Sequence, residues 1–353
     1  MTDQMLPCVP YAERMKVTEK GGTALIWPFI DRVPGTGALE LVLDNNALSN
    51  TTWLAEHQQA LAGRPLTINP WLALVEQWLS NPKFKEAPAQ RIDGFLKPLE
   101  NLGVNFGDGY AQAQAELLQR NDAQLKFQFA ITFGYVAILK KLMDGPKVTS
   151  SQWDRLRELS YADVPRMSAC LLLGSALLFF KERQSLCLKG DSATAMSYLS
   201  TFFAYQPAKK NEPNYISQTY LRNRGGDLAL WYSLPMLNTT NMAWVGDPVV
   251  VTKDRALYRF IFRLLPAVRG TGSVIQISPA FNELPEADAW AWRERIDQLN
   301  FQFAPPTEET KLRRLKNLFT FAKECCSQEA ERRELDAAWS GWIEPGIGKA
   351  FCL

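Results

Sequence analysis

A chain of 353 residues with 46% hydrophobic content can bury one large core or two smaller ones, and its 22% charged fraction is that of an ordinary folded protein. A net charge of +2 excludes attraction of the whole molecule to polyanions, so any contact with nucleic acid has to come from a local patch. With His57 as the one histidine, histidine-rich zinc sites and a Ser-His-Asp triad have little to draw on, and its polar helical context predicts a surface position.

The six cysteines are scattered, with no Cys-x-x-Cys pair, and read as reduced thiols of a cytoplasmic protein. The start of the chain lacks the basic-then-apolar pattern of a signal peptide. The longest apolar run, 171–180, is too short to span a bilayer, so no membrane association is expected.

In chain order, residues 1–38 read as an irregular lead-in with one edge strand near the apolar stretch 24–29. The run Leu39-Glu40-Leu41-Val42-Leu43 is a buried strand that ends in Asp44-Asn45-Asn46. An amphipathic helix is expected over 47–61, stopped by Gly63-Arg64-Pro65. Leu66-Thr67-Ile68 is a second short strand, and Asn69-Pro70 starts a helix over 70–79, with asparagine as N-cap and proline at the first helical position. That helix carries Glu76. Two strand–helix units in succession are the rhythm of a parallel sheet.

From 82 to 208 the pattern becomes helical, with segments expected over 110–120, 124–143, 151–159, 164–181 and 192–205. The apolar run 127–142 suits mutual packing in a bundle, and Asp191 suits a helix cap. Sheet rhythm resumes where Arg224-Gly225-Gly226-Asp227 opens an apolar helix over 228–237. It continues through a turn-rich loop, in which Asp247 before Pro248 reads as a turn residue, into the strand Val249-Val250-Val251-Thr252 and then Lys253-Asp254. A helix over 255–265, a strand over 273–277 and helices over 286–299 and 307–339 complete the chain. The resulting organisation is a lead-in (1–38), the first half of an α/β core (39–81), a helical insertion (82–208), the second half of the core (209–280) and C-terminal helices (281–353).

Four carboxylates fall at equivalent places in this scheme. Asp44 and Asp254 follow strands, Asp227 sits at an expected helix start, and Glu76 lies one to two turns into the helix after the second strand. Ligands of open parallel sheets sit outside the carboxyl ends of the strands, which is the rim these acids share. Several carboxylates in one cleft repel one another unless a cation neutralises them, and an oxygen-rich site suits Mg²⁺ or Mn²⁺. Such a site orients a phosphodiester and activates water. Lys209, Lys210, Arg222 and Arg224 lie upstream of Asp227, and Lys253 and Arg255 flank Asp254, where they could supply phosphate contacts without sequence preference. The basic stretch 311–316 reads as a solvent or partner face of an amphipathic helix.

The segment Leu41-Val42-Leu43-Asp44-Asn45-Asn46-Ala47-Leu48 resembles the opening motif of PIN-domain nucleases: an apolar strand, an aspartate, small polar residues and a helix. The helix bearing Glu76, the Asp227 site and Val249-Val250-Val251-Thr252-Lys253-Asp254 are similar to the family's other acidic positions in the same order, and Val274-Ile275-Gln276-Ile277 is similar to its closing strand. The resemblance covers 39–79 and 222–279.

It implies a three-layer α/β/α fold with a parallel sheet, and metal-dependent hydrolysis of RNA, less often DNA, by water attack on the phosphodiester. By position it implies Asp44, Asp227 and Asp254 as metal ligands, with Glu76 completing a catalytic set, and Asn46 and Thr252 holding the ligand loops by hydrogen bonds. Arg222, Arg224, Lys253 and Arg255 stand where substrate contacts are expected. Such cores occur in toxins and defence systems, which suggests a regulated effector, with a protein partner on the helical insertion or the C-terminal helices. Two departures from the family pattern are the long gap between Glu76 and Asp227 and the extended loop 241–247 before the last acid. The rival readings are a PIN-like RNA-binding or scaffold protein without catalysis, and a DNA-directed nuclease.

Overall fold

A computed structural model describes residues 17–30, 37–239, 245–268, 276–302, 304–305 and 307–347. Its centre is a mixed five-stranded sheet. The strands are β1 (Val17–Lys20), β2 (Thr23–Ile26), β3 (Leu39–Leu43), β4 (Leu66–Asn69) and β5 (Asp247–Thr252), in the spatial order β1-β2-β5-β3-β4. Strands β5, β3 and β4 are parallel, whereas β1 and β2 form an antiparallel hairpin on the outer side of β5. The expected edge strand near 24–29 is therefore an interior strand, and the sheet is mixed where an all-parallel one was expected. The hairpin is made possible by Gly21 and Gly22, both at positive φ between β1 and β2.

Every residue of β3 is buried, as a strand covered on both faces requires. The one charged member, Glu40, is satisfied by Asn69 Nδ2 at 2.7 Å and the backbone N–H of Val245 at 2.7 Å. Leu43 pairs in register with Val251, so β3 and β5 end side by side and deliver Asp44 and Asp254 to the same rim.

The helix expected over 47–61 is three short pieces: α1 (Asn45–Ser49), α2 (Thr52–Glu56) and α3 (Gln58–Leu61). The indole of Trp53 donates to the carbonyl of Ala47 at 2.9 Å, tying the second piece back onto the first. The breaks also turn His57 inward. It is 1% exposed, not a surface residue, and its Nε2 lies 3.1 Å from the carbonyl of Thr23 in β2. Burial pushes its pKa below the ordinary value.

Helix α4 (Trp71–Ser80) starts one residue later than expected, with Pro70 at the cap and the Asn69 side chain accepting from the Trp71 N–H at 3.1 Å. Two unanticipated helices follow, α5 (Pro82–Glu86) and α6 (Pro88–Glu100), each with proline in its first turn.

The helical region continues with α7 (Tyr110–Arg120), α8 (Asp122–Met143), α9 (Ser150–Tyr161), α10 (Ser168–Glu182), α11 (Ala195–Phe203) and the single turn α12 (Pro207–Lys210). Helix α8 is the hub, packing against α10, against α13 (Gln218–Thr239) and, farther on, against α16 (Glu308–Cys325). Because it is contacted from several sides, its second half is buried almost all round, which explains why 127–142 is apolar without a single stripe. Asp191 does not cap α11, since that role falls to Thr194. It accepts from the Tyr198 hydroxyl and from the Ala193 N–H instead.

Helix α13 is continuous through Gly225-Gly226, so Asp227 lies in mid-helix and not at a helix start. The glycines are there for close packing. A Cβ on Gly225 would meet Thr132 Oγ1 of α8 at 2.8 Å, and one on Gly226 would meet Glu76 Cδ of α4 at 2.9 Å. Helix α13 thereby joins the helical region to the sheet side of the molecule.

After β5 the chain makes a π-helical turn (Leu257–Ile261) running into α14 (Phe262–Leu264). Strands β6 (Ala267–Val268) and β7 (Gln276–Ile277) pair with each other in a separate antiparallel ladder, so the described part of the strand expected over 273–277 is not in the main sheet. Residues 273–275, and 241–244 of the extended loop, lie outside the described residues. Asp247 opens β5 and does not occupy a turn. Helix α15 (Glu286–Asp297) precedes α16, and α17 (Glu329–Ala338) follows a break at 326–328 in the helix expected over 307–339. Among the described residues no helix is long and apolar enough to cross a membrane.

Candidate active site

A cleft of about 790 Å³ opens at the carboxyl ends of β3 and β5, and Asp44, Glu76, Asp227 and Asp254 all line it. They come from four elements: the end of β3, α4, α13 and the end of β5.

Asp44 is fixed at three points. Its Oδ1 accepts from the N–H of Ala47 at 2.5 Å and caps α1, while its Oδ2 accepts from Thr252 Oγ1 at 2.6 Å and from the N–H of Lys253 at 3.1 Å. Thr252, fully buried, also accepts from the N–H of Asp254 at 3.1 Å, so one hydroxyl ties both strand-end loops together. Asp254 accepts from the N–H groups of Ala256 at 2.8 Å and Leu257 at 3.1 Å, both through Oδ1, which is the geometry of a helix N-cap.

Glu76 reaches across from α4. Its Oε1 accepts from Asn45 Nδ2 at 3.2 Å, and its carboxyl rests against the bare Cα of Gly226. Asn45 in turn accepts from Gln77 Nε2 at 2.5 Å. The bridging expected of Asn46 thus falls to its neighbour Asn45, and Asn46 stands exposed at the cleft. Asp227 pairs with Lys210 Nζ at 3.1 Å and lies 3.7 Å from Arg224 Nη1.

These acids feel one another. Burial, then the negative charge of Asp227, pushes Glu76 from its ordinary 4.5 up to about 8, against the pull of Lys210 and the Asn45 hydrogen bond. Burial and Asp227 likewise raise Asp254 to about 6, opposed by its backbone hydrogen bonds and by Lys210. Burial outweighs three hydrogen bonds in raising Asp44 as well, with Asp227 adding to it. Asp227 is the charge common to all three, which makes it the electrostatic centre of the set.

The cleft is walled by Trp71, Leu72, Leu125 and Tyr232, and Lys209, Lys210 and Lys253 supply its positive charge. The expected basic contacts divide. Lys253 lines the cleft, whereas Arg224 is 1% exposed and engaged in a buried ion pair with Glu212 at 3.3 Å. Arg222 donates to Thr219 Oγ1 at 3.4 Å and, like the exposed Arg255, is not part of the cleft wall. Arg224 and Asp227, three residues apart, share a face of α13, but Glu212 holds the Arg224 guanidinium in the interior while Asp227 stays at the cleft.

The donor set is all oxygen and suits a hard divalent cation. Among the described residues, however, no group of three or more His, Cys, Asp or Glu side chains is spaced to hold a metal ion, so Asp44, Asp227 and Asp254 share the cleft without forming a three-carboxylate cage. Mg²⁺ does not require one, because it keeps several waters and is commonly bound through one or two carboxylates plus substrate phosphates. The donors present fit that mode. Asn45, Gly226 and Glu212 do not stand out in the sequence. A glycine pair inside an otherwise helical run is the signal that could have placed Gly226 at a close helix contact. Comparison with protein-family models, curated proteins and solved structures finds no match to this chain.

Proposed function

We propose that the chain has a PIN-like core and is a metal-dependent endoribonuclease that hydrolyses phosphodiester bonds by water attack. The observation that carries this reading is the convergence of four carboxylates, as far apart in sequence as Asp44 and Asp254, on one cleft at the strand ends. Half-buried, mutually repelling acids cost stability, and a fold that gathers them points to a cation-dependent use.

One or two of Asp44, Asp227 and Asp254 would hold Mg²⁺ or Mn²⁺, which when bound supplies charge stabilisation at the phosphate and an acidified water. Thr252 and the Ala47 and Lys253 N–H groups keep Asp44 in one orientation, so the ligand loop is set before substrate arrives. Glu76, whose proton is held up to about pH 8, suits proton transfer with the attacking water or the leaving oxygen near neutrality. Lys209 and Lys253 suit phosphate contacts, and the half-buried Trp71 and Tyr232 offer ring faces on which unpaired bases can stack.

The test is RNA degradation with Mn²⁺ by the native chain and by Asp44→Asn and Asp227→Asn. The expected loss is at least about 100-fold for each, and either variant working at the native rate removes the assignment. A second reading, an RNA-binding protein without catalysis, has the Lys210–Asp227 ion pair in its favour, because that pair already neutralises the central acid. RNA binding by the native chain with no cleavage in any divalent metal would select it.

A further inference from the structure

Lys210 is not a loose surface lysine. It ends the single turn α12, and the loop that carries this turn is pinned from within. The side chain of Glu212, which is 1% exposed as a residue, accepts from the N–H of Gln206 at 2.9 Å, from Asn223 Nδ2 at 2.9 Å and from Arg224 Nη2 at 3.3 Å. Arg224 also donates to the carbonyl of Ala204 at 2.8 Å. One buried ion pair therefore clamps both ends of 204–212 onto α13, and the two arms of the clamp lie within a turn of Asp227.

Between them, Asn211 takes a left-handed conformation (φ 51°), the one non-glycine residue to do so among the described residues. Its N–H returns to the carbonyl of Pro207. That conformation is unfavourable for an L side chain, asparagine tolerating it better than most, and the buried clamp on either side holds it in place. The outcome is that Lys210 Nζ is 3.1 Å from Asp227 Oδ2, with its charge felt at both Glu76 and Asp254, while its side chain stays 30% exposed to the cleft.

A two-ion phosphodiesterase centre needs carboxylates shared between closely spaced ions. Among the described residues no three of the cleft's carboxylates are spaced to hold one ion together, and its central acid already carries an ammonium. We infer that Lys210 is the built-in second cation of the site: it neutralises Asp227 in place of a second divalent ion and limits the cleft to one. The inference rests on the metal-dependent reading of the same cleft. It adds that the helical region contributes part of the active centre, because the loop bearing Lys210 hangs between α11 and α13.

The test is the number of Mn²⁺ ions bound per chain, measured by titration with electron paramagnetic resonance and calorimetry, for the native protein, Lys210→Gln and Lys210→Arg. The expected result is one ion for the native chain and for Lys210→Arg. Lys210→Gln should gain a second ion, or bind the first at least about tenfold more tightly, since a full positive charge a few ångströms away has been removed. RNA cleavage should fall in Lys210→Gln and recover in Lys210→Arg. Two ions in the native chain, or identical stoichiometry and affinity in Lys210→Gln, would overturn the inference and leave the nuclease reading standing. No Mn²⁺ bound by any of the three would remove the metal-dependent reading and this inference with it.

Discussion

Glu76→Gln should make the protein more stable, by an amount that grows as pH rises from about 5 to about 8. In the folded chain Glu76 keeps its proton up to about pH 8, whereas in the unfolded chain it loses it near 4.5. As pH rises between those values the unfolded state binds fewer protons than the folded state, so stability falls across the window. At about 1.4 kcal/mol for each tenfold change in proton affinity, the ceiling on that loss is about 5 kcal/mol. Side-chain relaxation and water entering the cleft reduce it, and about 2–3 kcal/mol is expected. Glutamine cannot ionise, yet its Oε1 can still accept from Asn45, so the shape and the hydrogen bond survive. The assay is urea unfolding of native and variant protein at pH 5 and pH 8, in buffer with a chelator to exclude divalent ions. A gain of about 2–3 kcal/mol at pH 8 with less than about 1 kcal/mol at pH 5 is the expected pattern. Equal effects at the two pH values would refute the claim that Glu76 is an unneutralised acid held among other acids.

Further outcomes rest on the same geometry. Mn²⁺ at one hundred times its dissociation constant should stabilise the native chain by about 2.7 kcal/mol and shift thermal unfolding upward, and no shift would count against a cation site. Arg224→Leu leaves Glu212 buried without its charged partner and should cost about 3–5 kcal/mol in urea unfolding. A loss below about 1 kcal/mol would mean that the clamp on the Lys210 loop is slack. Thr252→Val removes the hydroxyl that serves both Asp44 and Asp254 and should cost about 1–3 kcal/mol, together with a loss of RNA cleavage larger than the stability change explains.

The strand ends are the legible part of the site. Leu39–Leu43 and Val249–Thr252 are short apolar runs succeeded by an aspartate, and a parallel pair in register brings such aspartates to one rim. Glu76 is legible as one of four acids near the rim, but the close contact that seats it there is not, because it depends on the missing Cβ of Gly226, more than a hundred residues away. Asp227 lines the same cleft, but from the middle of a helix and not from the helix start that its local sequence suggests. The glycine pair before it reads locally as the start of a helix, whereas its purpose is to let α13 lie close to α4 and α8. Basic residues are the least legible. Arg222, Arg224, Lys210 and Lys253 look alike in sequence, yet one is buried in a clamp, one turns away and two face the acids.

Local sequence is enough to specify the α/β character of the chain, the parallel pairing of its core strands, the long helical region and the order of the four acids. Each of these depends on short-range periodicity and on the residues at a strand's carboxyl end, and both are written in near neighbours. Long-range packing alone adds the antiparallel hairpin to the sheet, buries His57 and sequesters Arg224. It also sets Lys210 on Asp227. Burial and charge pairing depend on groups far apart along the chain, and no local pattern specifies which cation reaches which acid.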